Sequence, residues 1–123
     1  MKFTQQGPAG ANLIRRYGAD FVVVNDEEIR RSCLVGPATL TRDWSPRVVD
    51  DLTVGLLAPL FELAPEVVVL STGVSQTFPP AALRAEFSRR RIGLEVMEVG
   101  AACRTYNVLV AEERKVLAAI LLP

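Results

Sequence analysis

"GLEVMEVGAACRTYNVLVAEERKVLAAILL" (residues 93–122) decides the fold, because it reads as a strand, a helix and a second strand in succession. Its first and last runs, "GLEVMEV" and "KVLAAILL", are apolar on both faces, as in strands that are covered on both sides. The middle segment predicts a helix, since Ala102, Tyr106, Leu109 and Val110 share one face at about 100° per residue. A strand–helix–strand unit of this kind predicts parallel neighbours in a sheet packed by helices.

The preceding residues continue the same alternation. "EVVVLST" (66–72) predicts a central strand that ends at Gly73. "FPPAALRAEFSRRR" then predicts a helix near residues 80–91, which Gly93 stops. The expectation is therefore an α/β protein whose sheet contains all three apolar runs as central or near-central strands.

The first half predicts shorter elements. "FVVVN" (21–25) predicts a strand, with "IRRSCLV" (29–35) as its hairpin partner, and "ATLT" predicts a short strand after it. A helix capped by Thr53 follows, and Pro59 within it predicts a short or kinked helix. The sequence thus predicts an N-terminal β-hairpin region before the alternating part.

Composition bounds the functions that remain. At 123 residues the chain is expected to be a single domain over 1–123. Fourteen basic and fourteen acidic residues cancel, which argues against nucleic-acid binding. No apolar run approaches the length of a membrane span, and the N-terminus lacks the apolar core of a signal peptide. With two cysteines, a reducing cytoplasm is the expected location.

Histidine is absent from the chain. Its absence removes Ser-His and Cys-His nucleophile pairs, imidazole bases and most zinc sites. The paired acids Asp50-Asp51 and Glu112-Glu113 lack supporting ligands, so neither a metal site nor a cofactor is predicted.

Arg104 and Asn107 are unusual in a helix that its neighbours would cover. Asparagine is a poor mid-helix residue, and a buried arginine is costly unless it is paired. Two interpretations remain open. In the structural one, Arg104 pairs with a carboxylate and Asn107 satisfies loop carbonyls. In the functional one, an open helix start and Arg104 hold an anionic group, with both side chains facing the loop after Thr72.

The turn "STGVSQT" (71–77) favours the functional interpretation. If strands 66–72 and 93–99 are parallel neighbours, this turn and the helix start open at the same sheet edge, where α/β proteins bind ligands. The candidate ligand-binding residues are Ser71, Thr72, Gly73, Cys103, Arg104 and Asn107.

Two further residues have alternative roles. Cys103 is either a small buried side chain or the nucleophile of a thiol-dependent enzyme or redox protein, with Arg104 lowering its pKa. Trp44 is either a lid on the core or the anchor of a protein partner.

The stretch 93–122, with Trp44 and the turn at Gly73, resembles the family of complex I assembly factor 3 and the adipogenesis-associated domain proteins, along nearly the whole chain. This resemblance implies a three-layer fold around a mixed central sheet and no established catalytic activity. Relatives commonly carry Gly where Ser71 stands, Thr where Val99 stands and Gly where Glu113 stands. The departures predict a missing side-chain cap at the helix start and a poor left-handed stop at Glu113.

The leading hypothesis is a non-enzymatic cytoplasmic domain that binds a protein partner or a small anionic ligand, with an assembly role implied by the resemblance. A thiol enzyme using Cys103 and a structural module without a ligand are the alternatives. Self-association into a homo-oligomer is left open.

Overall fold

The computed structural model describes residues 8–123. The prediction that no signal peptide is present falls mainly on residues outside this range. The strands are Ile14–Tyr17 (β1), Val22–Val24 (β2), Glu27–Ile29 (β3), Cys33–Gly36 (β4), Thr39–Thr41 (β5), Val67–Ser71 (β6), Gly93–Met97 (β7) and Val116–Ile120 (β8). The helices are Val54–Glu62 (α1), Ala81–Arg89 (α2) and Val99–Ala111 (α3), and a 3-10 turn covers Val49–Asp51.

A five-stranded mixed sheet with the order β5-β4-β8-β6-β7 forms the centre of the molecule. β6 is parallel to both β7 and β8, as the strand–helix–strand pattern predicts, and β4 is antiparallel to β5 and β8. The prediction that β6 and β8 are central is confirmed. β7 lies at the edge of the sheet instead, because no strand of the described chain follows it in that direction.

Each face of this sheet carries its own layer. One face packs against α3 and a separate antiparallel sheet, β1-β2-β3, and the core there includes the fully buried Tyr106. The opposite face packs against α1, α2 and Trp44. Alternate residues of β6 divide between the two cores, which is why an uninterrupted apolar run was needed. The three-layer α/β fold is therefore confirmed.

The predicted partner of the 21–25 strand is divided between two sheets. Only Glu27–Ile29 pairs with Val22–Val24, across a two-residue turn in which Asn25 has a φ of 56°. The remainder, Cys33–Gly36, crosses to the five-stranded sheet and pairs with β8. Ser32 marks the crossing, since its buried hydroxyl bonds the backbone of Leu122. The hairpin over 29–35 was wrong because a seven-residue run was taken as one strand.

All three α-helices end without a glycine in the left-handed position. Ala64, Arg91 and Glu113 have φ values of 51°, 58° and 60°. Arg91, rather than the expected Gly93, thus stops α2. At the end of α3 the N–H of Glu113 bonds the carbonyl of Val110 and that of Arg114 bonds Leu109, the pattern of a Schellman motif. The left-handed stop forms despite the missing glycine, at a conformational cost.

The remaining helix predictions are confirmed. Thr53 caps α1 by accepting the N–H of Leu56, and Pro59 lies inside a helix of nine residues. Within residues 8–123, no helix has the length and apolar character needed to cross a bilayer.

Candidate functional site

The loop after β6 and the start of α3 meet at one edge of the sheet. The N–H of Thr72 donates to the carbonyl of Met97 at 3.0 Å, and the N–H of Val99 donates to that of Gly73 at 2.8 Å. These bonds follow from the parallel register, which pairs Ser71 with Met97. The expectation that both segments open at the same edge is confirmed.

Thr72 organises the loop that follows it. Its hydroxyl donates to the carbonyl of Ser75 at 2.6 Å and accepts the N–H of Thr77 at 3.0 Å. Gly73 has a φ of 97°, and an added Cβ would meet no atom within 4 Å. Glycine is therefore needed here for the backbone conformation rather than for close approach.

Ser71 is the last residue of β6 and is fully buried, so it does not belong to the exposed loop. It lies on the face that β6 turns towards α3, as Val67 and Val69 do. Its hydroxyl has no hydrogen-bond partner within residues 8–123. This chain thus buries an unpaired hydroxyl at an energetic cost.

The start of α3 is capped by the chain's own carboxylate. Glu98 accepts the N–H of Ala101 at 2.7 Å and that of Gly100 at 2.8 Å. These two bonds, with a smaller effect of Arg104, hold the pKa of Glu98 below its usual value. The predictions of an open helix start and a missing side-chain cap are wrong, because Glu98, one position before Val99, supplies the cap.

Arg104 is exposed rather than covered, with 65% of its side chain accessible. Its Nη1 donates to the hydroxyl of Tyr17 at 2.8 Å, and its Nη2 lies 3.9 Å from a Glu98 oxygen. The side chain therefore lies over β1 and the first turn of α3. The premise of a buried, costly arginine is wrong, because the helical sector that contains it faces solvent.

Asn107 bonds to β1 instead of facing the loop after Thr72. Its Oδ1 accepts the N–H of Ile14 at 2.9 Å, and its Nδ2 donates to the carbonyl of Ile14 at 2.8 Å. At the preceding position of α3, the hydroxyl of Tyr106 donates to the carbonyl of Asn12 at 2.8 Å. Asn107 thus extends the hydrogen bonding of β1, and the expected direction of its side chain is wrong.

Cys103 and Cys33 are both buried between α3 and the sheet. Burial, with a smaller contribution from the carboxylate of Glu98 and opposed by Arg104, raises the pKa of Cys103 to about 12. Burial likewise raises the pKa of Cys33 to about 12. Neither thiol is poised to ionise near neutral pH, so the structure gives a thiol enzyme no support.

Trp44 lies on the opposite side of the sheet and is only 5% exposed. Its indole N–H donates to the carbonyl of Leu56 at 3.0 Å. This geometry corresponds to a lid on the core of the α1 layer rather than to an exposed anchor. Among residues 8–123, no group of three histidine, cysteine or carboxylate side chains is placed to hold a metal ion.

The most exposed large apolar residues of the edge were missed by the sequence analysis. Val74 and Phe78 lie in the loop over residues 72–80 and are 72% and 59% exposed. Between them, the side-chain amide of Gln76 donates to the carbonyl of Val96 at 2.9 Å. The available signal was the presence of "V" and "F" among turn residues in "STGVSQTFPP", where neither position belongs to a periodic run.

Together, the mixed five-stranded sheet, the covering layers and this polar edge define a class of small α/β proteins. The chain belongs to the family described as "Protein of unknown function (DUF498/DUF598)", whose model matches residues 14–121. A solution structure from Xanthomonas campestris is similar to it at 32% identity, with a TM-score of 0.85, over 99% of this chain and 92% of that one. A Bordetella pertussis protein described as an Mth938-like domain is 25% identical, with a TM-score of 0.81, over 99% and 92%.

Three curated relatives are named as assembly factors. The chain is 29% identical over 97% of its length to NADH dehydrogenase [ubiquinone] 1 alpha subcomplex assembly factor 3 of Danio rerio. It spans 69% of that relative, and 50% and 61% of the proteins of the same name in Drosophila melanogaster and Xenopus tropicalis. The similarity therefore supports an assembly-factor-like role in its general form.

Proposed function

We propose that this chain is a non-catalytic assembly factor that holds a protein partner against the surface formed by the loop over residues 72–80. The observation that carries the proposal is the exposure of Val74 and Phe78 on this loop. Aromatic and apolar side chains that project from a surface are typical of interface hot spots. The names of the curated relatives support the assembly part of the proposal.

The loop is built to present these side chains with little ordering cost. The hydroxyl of Thr72 fixes Ser75 and Thr77, Gln76 is held by the edge of the sheet, and Pro79 is buried. A preorganised surface loses less conformational freedom on binding than a flexible one. The loop therefore offers a fixed apolar contact rather than a disordered segment.

Arg104 adds an exposed cation near the start of α3, where it contacts Tyr17 and Glu98. Its side chain is 65% exposed, and its Nη2 lies 3.9 Å from a carboxylate oxygen of Glu98. A carboxylate on the partner, or a small anionic ligand, would find a donor there. Under this proposal Thr72, Gly73 and Arg104 border the partner surface, whereas Ser71, Cys103 and Asn107 support it from inside. A cytoplasmic location stays a prediction.

The test compares partner recovery by two double variants of the affinity-tagged chain. Val74→Ser with Phe78→Ser removes the proposed contact, and Val48→Ser with Val54→Ser is the matched control, since both of those valines are 50% exposed elsewhere. Proteins recovered from the native cells are quantified by mass spectrometry. We expect at least one specific partner to fall about tenfold with the first variant only.

Equal recovery by the two variants would contradict the proposed surface. Absence of any protein recovered above the level of an untagged control would contradict a protein-binding function altogether. Circular dichroism melts of both variants exclude unfolding as the cause of a loss.

A further inference from the structure

We propose that the free edge of β7 pairs with an extended, antiparallel segment of the partner that places a lysine or arginine opposite Glu95. This inference rests on the proposed function and specifies the chemistry of its partner. β7 ends the strand order β5-β4-β8-β6-β7, so no strand of the described chain covers its outer side. Unpaired strand edges accept additional strands through main-chain hydrogen bonds.

The hydrogen-bond pattern identifies the groups that face outwards. Gly93 donates to the carbonyl of Glu66, and the carbonyl of Met97 accepts the N–H of Thr72, so both residues face β6. Because successive residues of a strand point their backbone groups to opposite sides, Leu94 and Val96 face away from β6. The bond from Gln76 to the carbonyl of Val96 confirms that direction.

Gln76 occupies the position that a neighbouring strand would take. Its side-chain amide supplies one N–H to the outer edge, which is what a paired backbone would do. The outward N–H and C=O of Leu94 and the N–H of Val96 have no such partner among residues 8–123. Gln76 therefore shields one end of the edge and leaves a short pairing segment beside the exposed Val74 and Phe78.

Glu95 selects against a second copy of this chain. The self-pairing register that uses the backbone groups of both Leu94 and Val96 places Glu95 directly opposite its own symmetry mate. Glu95 is exposed and has no ion pair within the described chain, so self-pairing would bring two carboxylates together with no cation of the described chain beside them. Like charges directly opposite are unfavourable, whereas an opposite charge is favourable. The same register with a basic residue in the partner converts the repulsion into attraction.

The flanking positions define the rest of the partner motif. Residues opposite Leu94 and Val96 lie on the face covered by α2, where both side chains contact the core of that layer. A partner strand with apolar residues on either side of its basic residue would continue this apolar surface. The motif is therefore apolar–basic–apolar in extended conformation.

The test uses three seven-residue peptides with blocked ends: Ser-Thr-Val-Lys-Val-Thr-Ser and its versions with glutamate or glutamine at the centre. Binding is followed through the backbone amide signals of Leu94 and Val96 in nuclear magnetic resonance spectra. We expect both signals to shift and to exchange more slowly with solvent. The lysine peptide should bind about fivefold more tightly than the glutamate peptide.

Two variants and one control separate strand pairing from unspecific attraction. Glu95→Lys should reverse the order of the lysine and glutamate peptides, and Gln76→Ala should strengthen all three by freeing the carbonyl of Val96. Glu112→Lys makes the same charge change at the other end of α3 and should leave the order as it is. If Gln76 only stabilised the loop, Gln76→Ala would not raise the affinity for the peptides.

Three results would overturn the inference. One is the absence of shifts at Leu94 and Val96 with every peptide, and another is a peptide order that Glu95→Lys does not alter. The third is dimerisation of Glu95→Gln in sedimentation, which would make a second copy the occupant. If none of these peptides binds but the Val74 and Phe78 double variant still loses its protein partner, this inference fails while the proposed function remains supported.

Discussion

Replacing Asn107 by alanine tests whether this residue is a structural contact of β1. The side chain makes two hydrogen bonds to Ile14, at 2.9 and 2.8 Å, in a part-buried position. Each partner group left unsatisfied costs about 1–2 kcal/mol, and alanine returns about 0.5 kcal/mol of helix propensity. The expected net loss is about 1.5–3.5 kcal/mol. For a domain of this size that corresponds to about 5–17 °C in Tm.

The matched control is Arg104→Ala, one turn earlier on the same helix. Its bond to Tyr17 is exposed, so the expected loss is below about 1 kcal/mol. Urea unfolding of both variants can be followed by fluorescence, because Trp44 is the one tryptophan and is buried. If Asn107→Ala unfolds within about 0.5 kcal/mol of wild type, or together with Arg104→Ala, the structural assignment fails.

Four further changes have defined outcomes. Glu113→Gly should raise the unfolding free energy by about 0.5–1 kcal/mol, because glycine relieves the left-handed φ of 60°. The control Glu112→Gly, at a φ of −85°, should lower it. Both values are measured by urea unfolding, and a loss of stability in both variants would contradict the strain argument. Ser71→Ala should keep or raise Tm, since it removes a buried hydroxyl without a partner within residues 8–123; a clear loss would point to an unseen partner. Iodoacetamide should label Cys103 at neutral pH only on unfolding, because burial raises its pKa to about 12; rapid labelling of the folded chain would revive the thiol alternative. Glu98→Gln should remove the part of the pH dependence of stability that the cap contributes. Folding lowers the pKa of Glu98, so its carboxylate stabilises the fold above the ordinary glutamate pKa, and this stabilisation is lost as the pH falls through the lowered pKa. Identical pH–stability curves would argue against the cap.

The strand and helix order was predictable where periodicity was long and unambiguous. The run at 66–72 could only be a covered strand, and α3 was marked by its apolar face. Periodicity gives no information on sheet order, so β7 was placed too near the centre. It also cannot divide a run such as 29–35 between two sheets, because the role of the dividing residue, Ser32, depends on hydrogen bonds to the distant Leu122.

The meeting of the turn at Gly73 with the start of α3 was predicted correctly, whereas the side-chain geometry there was not. Parallel pairing of β6 with β7 brought the turn at Gly73 to the start of α3, and that consequence follows from topology alone. Whether the backbone N–H groups at the start of α3 are free depends on the rotamer of one side chain, that of Glu98. Glu98 reads in sequence as the exposed end of a strand, yet its carboxylate folds back onto two N–H groups of the next helix. A polar pattern therefore locates such an edge, while the side-chain torsions decide whether it is open.

Arg104 and Asn107 show why residue type alone could not separate an exposed side chain from a structural contact. They lie three positions apart on α3 and gave the same signal, a polar group in an apolar segment. Asn107 lies next to Ile14 and uses both polar atoms of its amide in hydrogen bonds to that backbone. Arg104 lies outside the covered face, and most of its side chain is exposed to solvent. The difference is set by β1, a strand from the other end of the chain, and no local pattern contains it. The groups proposed to bind at this edge are therefore those that stay exposed, namely Arg104, which β1 engages only through the hydroxyl of Tyr17, the 72–80 loop and the outer side of β7.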